Sequence, residues 1–414
     1  MQGARACKVS SALTVVGGFY RESCRFPPSD EFWGSGGRAA AAIRELPLQV
    51  RFVTTADKEA EAVLASISQV VGFEYSVLPI SETIGFRYDH GLSTPIIWPP
   101  LNAVEHVRLS ASDECILQFG MLEAEAEVYA RTVVYDPQEP FSPKHFRSAS
   151  RPARLAYVLN GAEARRLGGN SNVEEAALKI SEDSRADVVI VKRGPLGALV
   201  LTEGKFTIVP AYETKSVWPI GSGDVFAAIF AARWGVQGLT ATEAANSASR
   251  ATAEYVENRT LPIPLGVIEG KSPAVALKLS PKPMTGKDEY DVYLAGPFFN
   301  MPQAWLVDEA RLAFQGMGLK VFSPYHDIGI GPGAHVAPKD IDALEKSRAV
   351  FAILDGVDTG TVFEAGFARA RNKPVVAFAQ CTPEEPLKMI SGTGCEVVSD
   401  FVSAIYRAAW ASWR

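Results

Sequence analysis

The segment from Asp358 to Ala370, DTGTVFEAGFARA, sets two carboxylates six positions apart among glycine, threonine and alanine, then turns apolar. A helix starting near Thr359 to Thr361 places Glu364 in about its first turn, where free N–H groups and the helix dipole favour the ionised form. An ionised carboxylate is a nucleophile, and Gly360, Ala365 and Gly366 leave room for a ring to approach. Beneath an anomeric carbon such a group can form a covalent glycosyl ester while a second acid protonates the leaving group. Taken alone, the segment equally allows Asp358 or Thr359 to cap a helix and Glu364 to be solvated.

The surrounding pattern predicts how these side chains are held. From Tyr290 onward, apolar runs (YDVYLAGP, LKVFSP, AVFAILD, KPVVAFA, CEVVS) alternate with helical ones, which predicts a doubly wound, parallel, five-stranded α/β sheet of flavodoxin-like type. In such sheets ligands lie at the carboxyl ends of the strands. AGPFF, SPYHD and DGVDTG all follow strands there. Upstream, GKSPAVALKLSPKPMTGKDE has three prolines without periodicity and reads as a linker, so the expected division is 1–269, linker 270–287, and 288–414. The first part is also α/β, with looser alternation, a short antiparallel excursion in ETIGFRYDHGLSTPIIWPP and a long Ala-rich helix from GSGDVFAAIF.

YLAGPFF at Tyr293 to Phe299, then FSP, then D-x-G-T-x-x-E-x-G as Asp358, Gly360, Thr361, Glu364 and Gly366, resembles the nucleoside 2-deoxyribosyltransferase family over nearly all of 288–414. The resemblance implies that Glu364 takes the deoxyribosyl group, Tyr293 holds Glu364, and Asp358 helps to bind and protonate substrate. Asp340, in PKDIDALEKS, matches the family's proposed nucleobase acid and equally suits a cap to a helix after Pro338. Gly296, Phe298, Phe299, Gly360 and Thr361 fall where the family binds substrate, and aromatic faces suit a planar base. An oxocarbenium-like transition state needs negative charge beneath the sugar and a proton above the base. Attack by a second base gives transfer and attack by water gives hydrolysis. The Asp358 carboxylate would repel a substrate phosphate, which favours a nucleoside. No cofactor is implied for this half.

In the first part, Gly221, Ser222 and Gly223 precede a helix whose start carries Asp224; backbone N–H groups there can hold a phosphate and Asp224 can take a proton from a hydroxyl. With Asn160 to Glu163 (NGAE) and Gly194 and Gly197 (VKRGPLGALV), this resembles the ribokinase (PfkB) family of sugar and nucleoside kinases over roughly 10–266. The resemblance implies a ribokinase-like fold, ATP and Mg2+ as cofactors, nucleotide or phosphate binding at Asn160, Glu163, Gly194, Gly197, Gly221, Ser222 and Gly223, indirect magnesium binding by Glu163, and Asp224 as base. Departures fall at the sugar end. Trp218 and Pro219 replace Asp and Thr, Ala41 replaces the sugar-binding asparagine in GGRAAAAI, and only Glu22 is available as the acid after the first strand.

The chain of 414 residues has 47 acidic against 41 basic side chains, net charge −6, so no global basic field draws a nucleic acid polymer. Five scattered cysteines, Cys7, Cys24, Cys115, Cys381 and Cys395, fit reduced thiols. Arg5 and Lys8 before ALTVVGGF only weakly imitate a secretory signal, and no apolar run approaches membrane length, so a cytoplasmic protein without membrane partners is expected. The partners expected are nucleosides or nucleobases and further copies of the chain, as a homo-oligomer. The first reading is a bifunctional enzyme of nucleoside metabolism. The second is a nucleotide- or nucleoside-sensing, non-catalytic first half regulating a hydrolase, and the third a ligand-binding scaffold, which Glu364 within its motif opposes.

Overall fold

The computed structural model describes residues 11–139, 142–148, 150–281, 284 and 288–414. Arg5, Cys7 and Lys8, and residues 282, 283 and 285–287 of the expected linker, lie outside them. The chain divides into two compact units: Met1–Asp89 with Thr94–Thr214 and Pro219–Ala276, and Leu277–Arg414 with the short segments His90–Ser93 and Lys215–Trp218. In the described part of 270–287, Ala276 bridges to Tyr212 within the first unit. Within the second, Ser280 N donates to Trp413 O at 3.0 Å.

The strands of the first unit are β1 (Ala12–Val16), β2 (Arg21–Phe26), β3 (Ser29–Phe32), β4 (Gln49–Ala56), β5 (Glu74–Pro79), β6 (Gly85–His90), β7 (Ile96–Trp98), β8 (Val107–Phe119), β9 (Ala124–Asp136), β10 (Arg154–Asn160), β11 (Val188–Lys192), β12 (Ala198–Thr202) and β13 (Lys205–Val209). Its helices are α1 (Gly34–Ala42), α2 (Lys58–Val71), α3 (Gly161–Gly168), α4 (Val173–Ser184), α5 (Ser222–Phe230), α6 (Ala241–Asn258) and α7 (Leu265–Ile268). Nine strands form one sheet in the order β13-β12-β11-β10-β9-β8-β1-β4-β5, parallel except where β12 and β13 reverse. Strands such as β10 and β11 are buried almost throughout, which is why they read as unbroken apolar runs rather than alternating ones. The antiparallel excursion is β6 paired with β7, in a separate four-stranded sheet ordered β3-β2-β6-β7. The Ala-rich helix is α5, continued by a π-helical turn over Ala231–Val236.

The second unit contains β14 (Tyr290–Ala295), α8 (Met301–Gly316), β15 (Val321–Phe322), α9 (Pro324–Asp327), α10 (Gly333–Glu345), β16 (Ser347–Ile353), α11 (Thr359–Ala370), β17 (Val375–Phe378), α12 (Glu384–Gly392), β18 (Glu396–Val398) and α13 (Phe401–Trp413). Its five strands are all parallel in the order β15-β14-β16-β17-β18, the flavodoxin-like arrangement. The order reverses direction beside β14, so the loops after β14 and β16 diverge and open a crevice at their carboxyl ends. Among the described residues no helix is long and apolar enough to cross a membrane. Cys24, Cys115 and Cys395 are buried, Cys381 is exposed, and none of these is in a disulfide.

The β11–β12 turn explains one glycine in full. Gly197 has φ +82°, and a Cβ there would lie 2.2 Å from Val209 O and 2.6 Å from Ala211 N. Gly197→Ala should therefore cost about 2 kcal/mol or more, read as a lower urea midpoint. An unchanged midpoint would mean that this turn relaxes freely.

Candidate active sites

In the second unit the floor of the crevice is a hydrogen bond. Tyr293, buried on β14, donates its hydroxyl to Glu364 Oε1 at 2.6 Å. Because Asp358 is the N-cap of α11, Glu364 is its sixth residue, in the second turn rather than the first. The dipole is weak there, and the environment does not favour the ionised form as expected: burial, reinforced by Asp340 and Asp358 against the Tyr293 hydrogen bond, pushes its carboxyl up to about 7. Burial and the neighbouring Glu364 also hold the Tyr293 phenol far above its usual range. Glu364 Oε2 has no hydrogen-bond partner among the described residues.

Asp358 acts as a cap, its Oδ2 accepting from Thr361 N at 2.8 Å and Thr361 Oγ1 at 3.0 Å, which leaves Oδ1 open. Gly360 follows from this cap, since a Cβ there would crowd Asp358 Oδ2 at 3.1 Å. At Gly366 a Cβ would meet nothing within 4 Å, so the second unit's packing does not require glycine. Gly296 lets β14 run close to β16, a Cβ coming 3.1 Å from Ile353 Cδ1. Asp340 is not a cap. Helix α10 starts at Gly333 with Pro338 inside it, so Asp340 is mid-helix, with Oδ1 buried and without a hydrogen-bond partner; burial raises its pKa.

The aromatic wall differs from an enclosing pair. Phe298 lies 5.1 Å from Phe299, and its other neighbour is Tyr325, stacked at 5.0 Å and 27°. Phe299, 72% exposed, is the open end of the stack. No role for Tyr325 is legible in the residue order, although SPYHD stands at a strand's carboxyl end. His326 ties that loop down through Ser323 Oγ at 3.0 Å and Asp308 Oδ1 at 2.9 Å.

In the first unit NGAE forms a capping box at α3. Asn160 Oδ1 accepts from Ala162 N and Glu163 N, both at 2.9 Å, and Glu163 Oε2 accepts from Asn160 N at 2.7 Å. Glu163 is almost wholly buried in that role. Gly194 and Gly197 shape the β11–β12 turn, and Gly221, at φ +79°, is the N-cap of α5 with no side chain capping the helix. Ser222, Gly223 and Asp224 form its first turn.

Asp224 is engaged on both oxygens, by Gln138 Nε2 at 2.7 Å and by Arg38 Nη1 at 2.9 Å. Arg38, on α1, also pairs with Glu22, so the only candidate for the acid after the first strand does reach this cluster. Burial pulls the guanidinium's pKa down, but Glu22, Tyr255 and Asp224 outweigh it and hold Arg38 charged. Behind Gly223, Lys192 Nζ grips Asp136 Oδ2 at 2.5 Å, with burial pushing the Asp136 carboxyl up. Arg38, Gln138, Asp136 and Lys192 escaped the sequence reading. A signal existed for three of them: Asp136 and Lys192 end apolar strands, and Arg38 is the lone charge in an Ala/Gly helix. Ala41 is fully buried, with no polar group to offer a sugar.

Known proteins match in the same two parts. Residues 36–262 match the model of the pfkB family carbohydrate kinases, and residues 292–397 that of the nucleoside 2-deoxyribosyltransferases. Among solved structures, ribokinase from Thermotoga maritima is 18% identical, over 63% of this chain and 98% of its own, with TM-score 0.43. The nucleoside kinase of Methanocaldococcus jannaschii is 14% identical, over 63% and 97%, TM-score 0.46. Fructokinase from Vibrio cholerae O395 is 16% identical, over 63% and 98%, TM-score 0.46. These structural likenesses do not bear on function. Curated proteins gave no match.

The raised Glu364 carboxyl has a thermodynamic signature. Its ordinary value is 4.5 and its folded value about 7, so as pH rises the unfolded chain loses this proton first. Stability contributed by Glu364 therefore falls between about pH 4.5 and pH 7 and stays low above. Glu364→Gln should remove that slope and be more stable than the parent at pH 8 by up to about 3 kcal/mol, the gap closing near pH 4. Parallel pH–stability curves for the two proteins in urea unfolding would contradict the shift.

Proposed function

The chain belongs to the pfkB family of carbohydrate kinases, and from that premise, with a deoxyribosyltransferase-like unit following, we propose a bifunctional enzyme of nucleoside metabolism. The second unit cleaves or exchanges the N-glycosidic bond of nucleosides, deoxynucleosides above all. The carrying observation is the Tyr293–Glu364 hydrogen bond, which ties one carboxylate oxygen at 2.6 Å and leaves the other open. In the reaction Glu364 Oε2 forms a bond to the anomeric carbon and the carbon–nitrogen bond breaks. Its electron pair leaves on the base, which takes a proton from Asp340 or Asp358. Asp340 suits this task because burial keeps its proton in place longer. Water or a second base then releases the sugar. Phe299, at the exposed end of the ring stack, is the face offered to the base, and Gly296, Phe298, Gly360 and Thr361 line the approach. No cofactor takes part.

The first unit transfers a phosphoryl group from ATP to a nucleoside or a pentose, with Asp224 as base and Gly221, Ser222 and Gly223 at the donor's phosphates. Magnesium would come with the donor's phosphates, and Glu163, whose Oε2 is held by Asn160 N, would act on it only through water. Asn160, Gly194 and Gly197 shape the nucleotide side. A second reading, favoured by the buried Ala41 in place of a sugar clamp, makes this unit a nucleotide or nucleoside sensor that regulates hydrolysis by the other. The protein works on small molecules in the cytoplasm as a homo-oligomer.

One assay, deoxynucleoside plus ATP followed for free base, free sugar, sugar phosphate and ADP, tests both activities. Glu364→Ala should lower base release at least about a thousandfold. Release at the parent rate would defeat the assignment. Asp340→Asn should slow poor leaving groups more than good ones, because acid catalysis matters most when the base is hard to expel. Equal slowing across a series of bases would assign Asp340 a structural role.

A further inference from the structure

Strands β8 and β9 pair in parallel from Val107 beside Ala124 to Phe119 beside Asp136, although only residues 120–123 join them. A straight strand of that length spans roughly 40 Å, which so short a connection cannot recross. Each strand therefore doubles back on itself, and Leu109, Ala111 and Val128 from the first halves share an apolar cluster with Ile116 and Val133 from the second. Residues from opposite ends of β8 consequently line one cavity of about 920 Å³, exposed Arg108 together with buried Gln118 and Phe119. That volume lies at the upper end of the roughly 300–1,000 Å³ that small-molecule sites occupy.

The cavity is graded in polarity. Its inner wall is apolar, made by buried Phe119 and Tyr135 and half-buried Met121 and Leu122. Gln118 adds a carboxamide whose Nε2 donates to Ala126 O at 3.4 Å and whose Oε1 is buried without a hydrogen-bond partner. At the mouth Arg108, Lys144 and Arg147 are exposed and form no ion pair among the described residues, in a chain whose net charge is −6. Lys144 and Arg147 stand on a pinned segment: the Tyr135 hydroxyl donates to Lys144 O at 3.2 Å, Phe146 N donates to the Tyr157 hydroxyl at 2.8 Å, and His145 Nδ1 lies 2.9 Å from Ser184 Oγ. None of Asn160, Glu163, Gly221, Ser222, Gly223 and Asp224 lines this cavity.

We propose that this cavity is a binding site for a nucleoside monophosphate, independent of both catalytic readings. The phosphate sits on Arg108, Lys144 and Arg147, and the base enters against the apolar wall. Gln118 turns its carboxamide so that Oε1 accepts from an amino group or ring N–H of the base. The bond given up to Ala126 is a long one, and the acceptor that is matched was unmatched before. Glu125, exposed in the same wall, accepts from a sugar hydroxyl. Charge sets the number of phosphates. Three cations against Glu125 and Glu139 leave a small positive excess, enough for one phosphate at about −1.5 to −2 and too little for three.

The test is photolabelling of the full chain with 8-azido-AMP, 8-azido-GMP and 4-thio-UMP, followed by digestion and mass spectrometry, so that label is read peptide by peptide. At least one probe should mark residues 118–147. The unmodified monophosphate should suppress that label at a concentration at least about tenfold lower than its nucleoside, its triphosphate or inorganic phosphate requires. Arg108→Glu and Arg147→Glu, changes at exposed positions that leave the fold intact, should each weaken labelling there about tenfold or more. Gln118→Leu should weaken competition by the monophosphate about fivefold while leaving competition by inorganic phosphate unchanged. Label absent from residues 118–147, or confined to the second unit or to peptides carrying Gly221 to Asp224, overturns the proposal. So does a nucleoside, triphosphate or inorganic phosphate that competes as well as the monophosphate, and so does labelling that both charge reversals leave unchanged. Neither ADP formation nor base release is read, so the outcome is separate from the fate of either proposed activity.

Discussion

A carboxyl group withdrawn from water under a tyrosine hydroxyl is the constraint on which the second unit is built. Glu364 can hold that position only because β14 delivers Tyr293 from below while α11 delivers the carboxyl from the side, and the 2.6 Å bond joins them. The Asp358 cap sets where α11 begins, and so which turn carries Glu364. Parallel β14 and β16, adjacent in the sheet, open their loops at the same end and supply the crevice. Burial raises the proton affinity of Glu364, which makes the group a stronger nucleophile once ionised at the expense of fold stability near neutral pH.

The first unit solves a different electrostatic problem, that of keeping several charges in a nearly dry place. Arg38 with Glu22 and Asp224, and Lys192 with Asp136, are buried ion pairs whose partners sit on separate elements. Removing one member of such a pair typically costs about 3–5 kcal/mol, because the other is left unpaired. The pairs therefore tie α1 to β2 and to the start of α5, and β11 to β9. Close packing separately limits the bulk that α1 tolerates. A Cβ on Gly36 would lie 2.3 Å from the Phe52 ring, so the helix backbone rests directly on the β-sheet core.

Much of this was legible from residue order. The five parallel strands of the second unit follow from alternating apolar and helical runs, and the placing of AGPFF, SPYHD and DGVDTG at strand ends follows from the topology such runs allow. The Tyr293, Asp358 and Glu364 constellation was legible as a motif, and the capping role of Asp358 as an open alternative. The sequence reading failed where an answer depended on depth and direction rather than spacing. The start of α11 fell where expected, but Glu364 lies in its second turn and is buried, and burial raises its carboxyl to about 7 where the dipole was expected to favour the ionised form. The start of α10 five residues before Pro338 removed Asp340 from any cap. Arg38 stood out as the lone charge of an alanine helix, but no spacing rule foretells that it turns inward to meet carboxylates distant in the chain.

The central claim is that Glu364 carries the sugar. It is tested most directly by acid-quenching the full chain during turnover of a 2-deoxynucleoside, digesting it and sequencing the peptides by mass spectrometry. The account predicts a deoxyribosyl adduct on Glu364 that is absent from Glu364→Gln and disappears when a nucleobase is added before quenching. An adduct on another residue, or base release with no adduct at any quench time and a single inversion at the anomeric carbon, would contradict it.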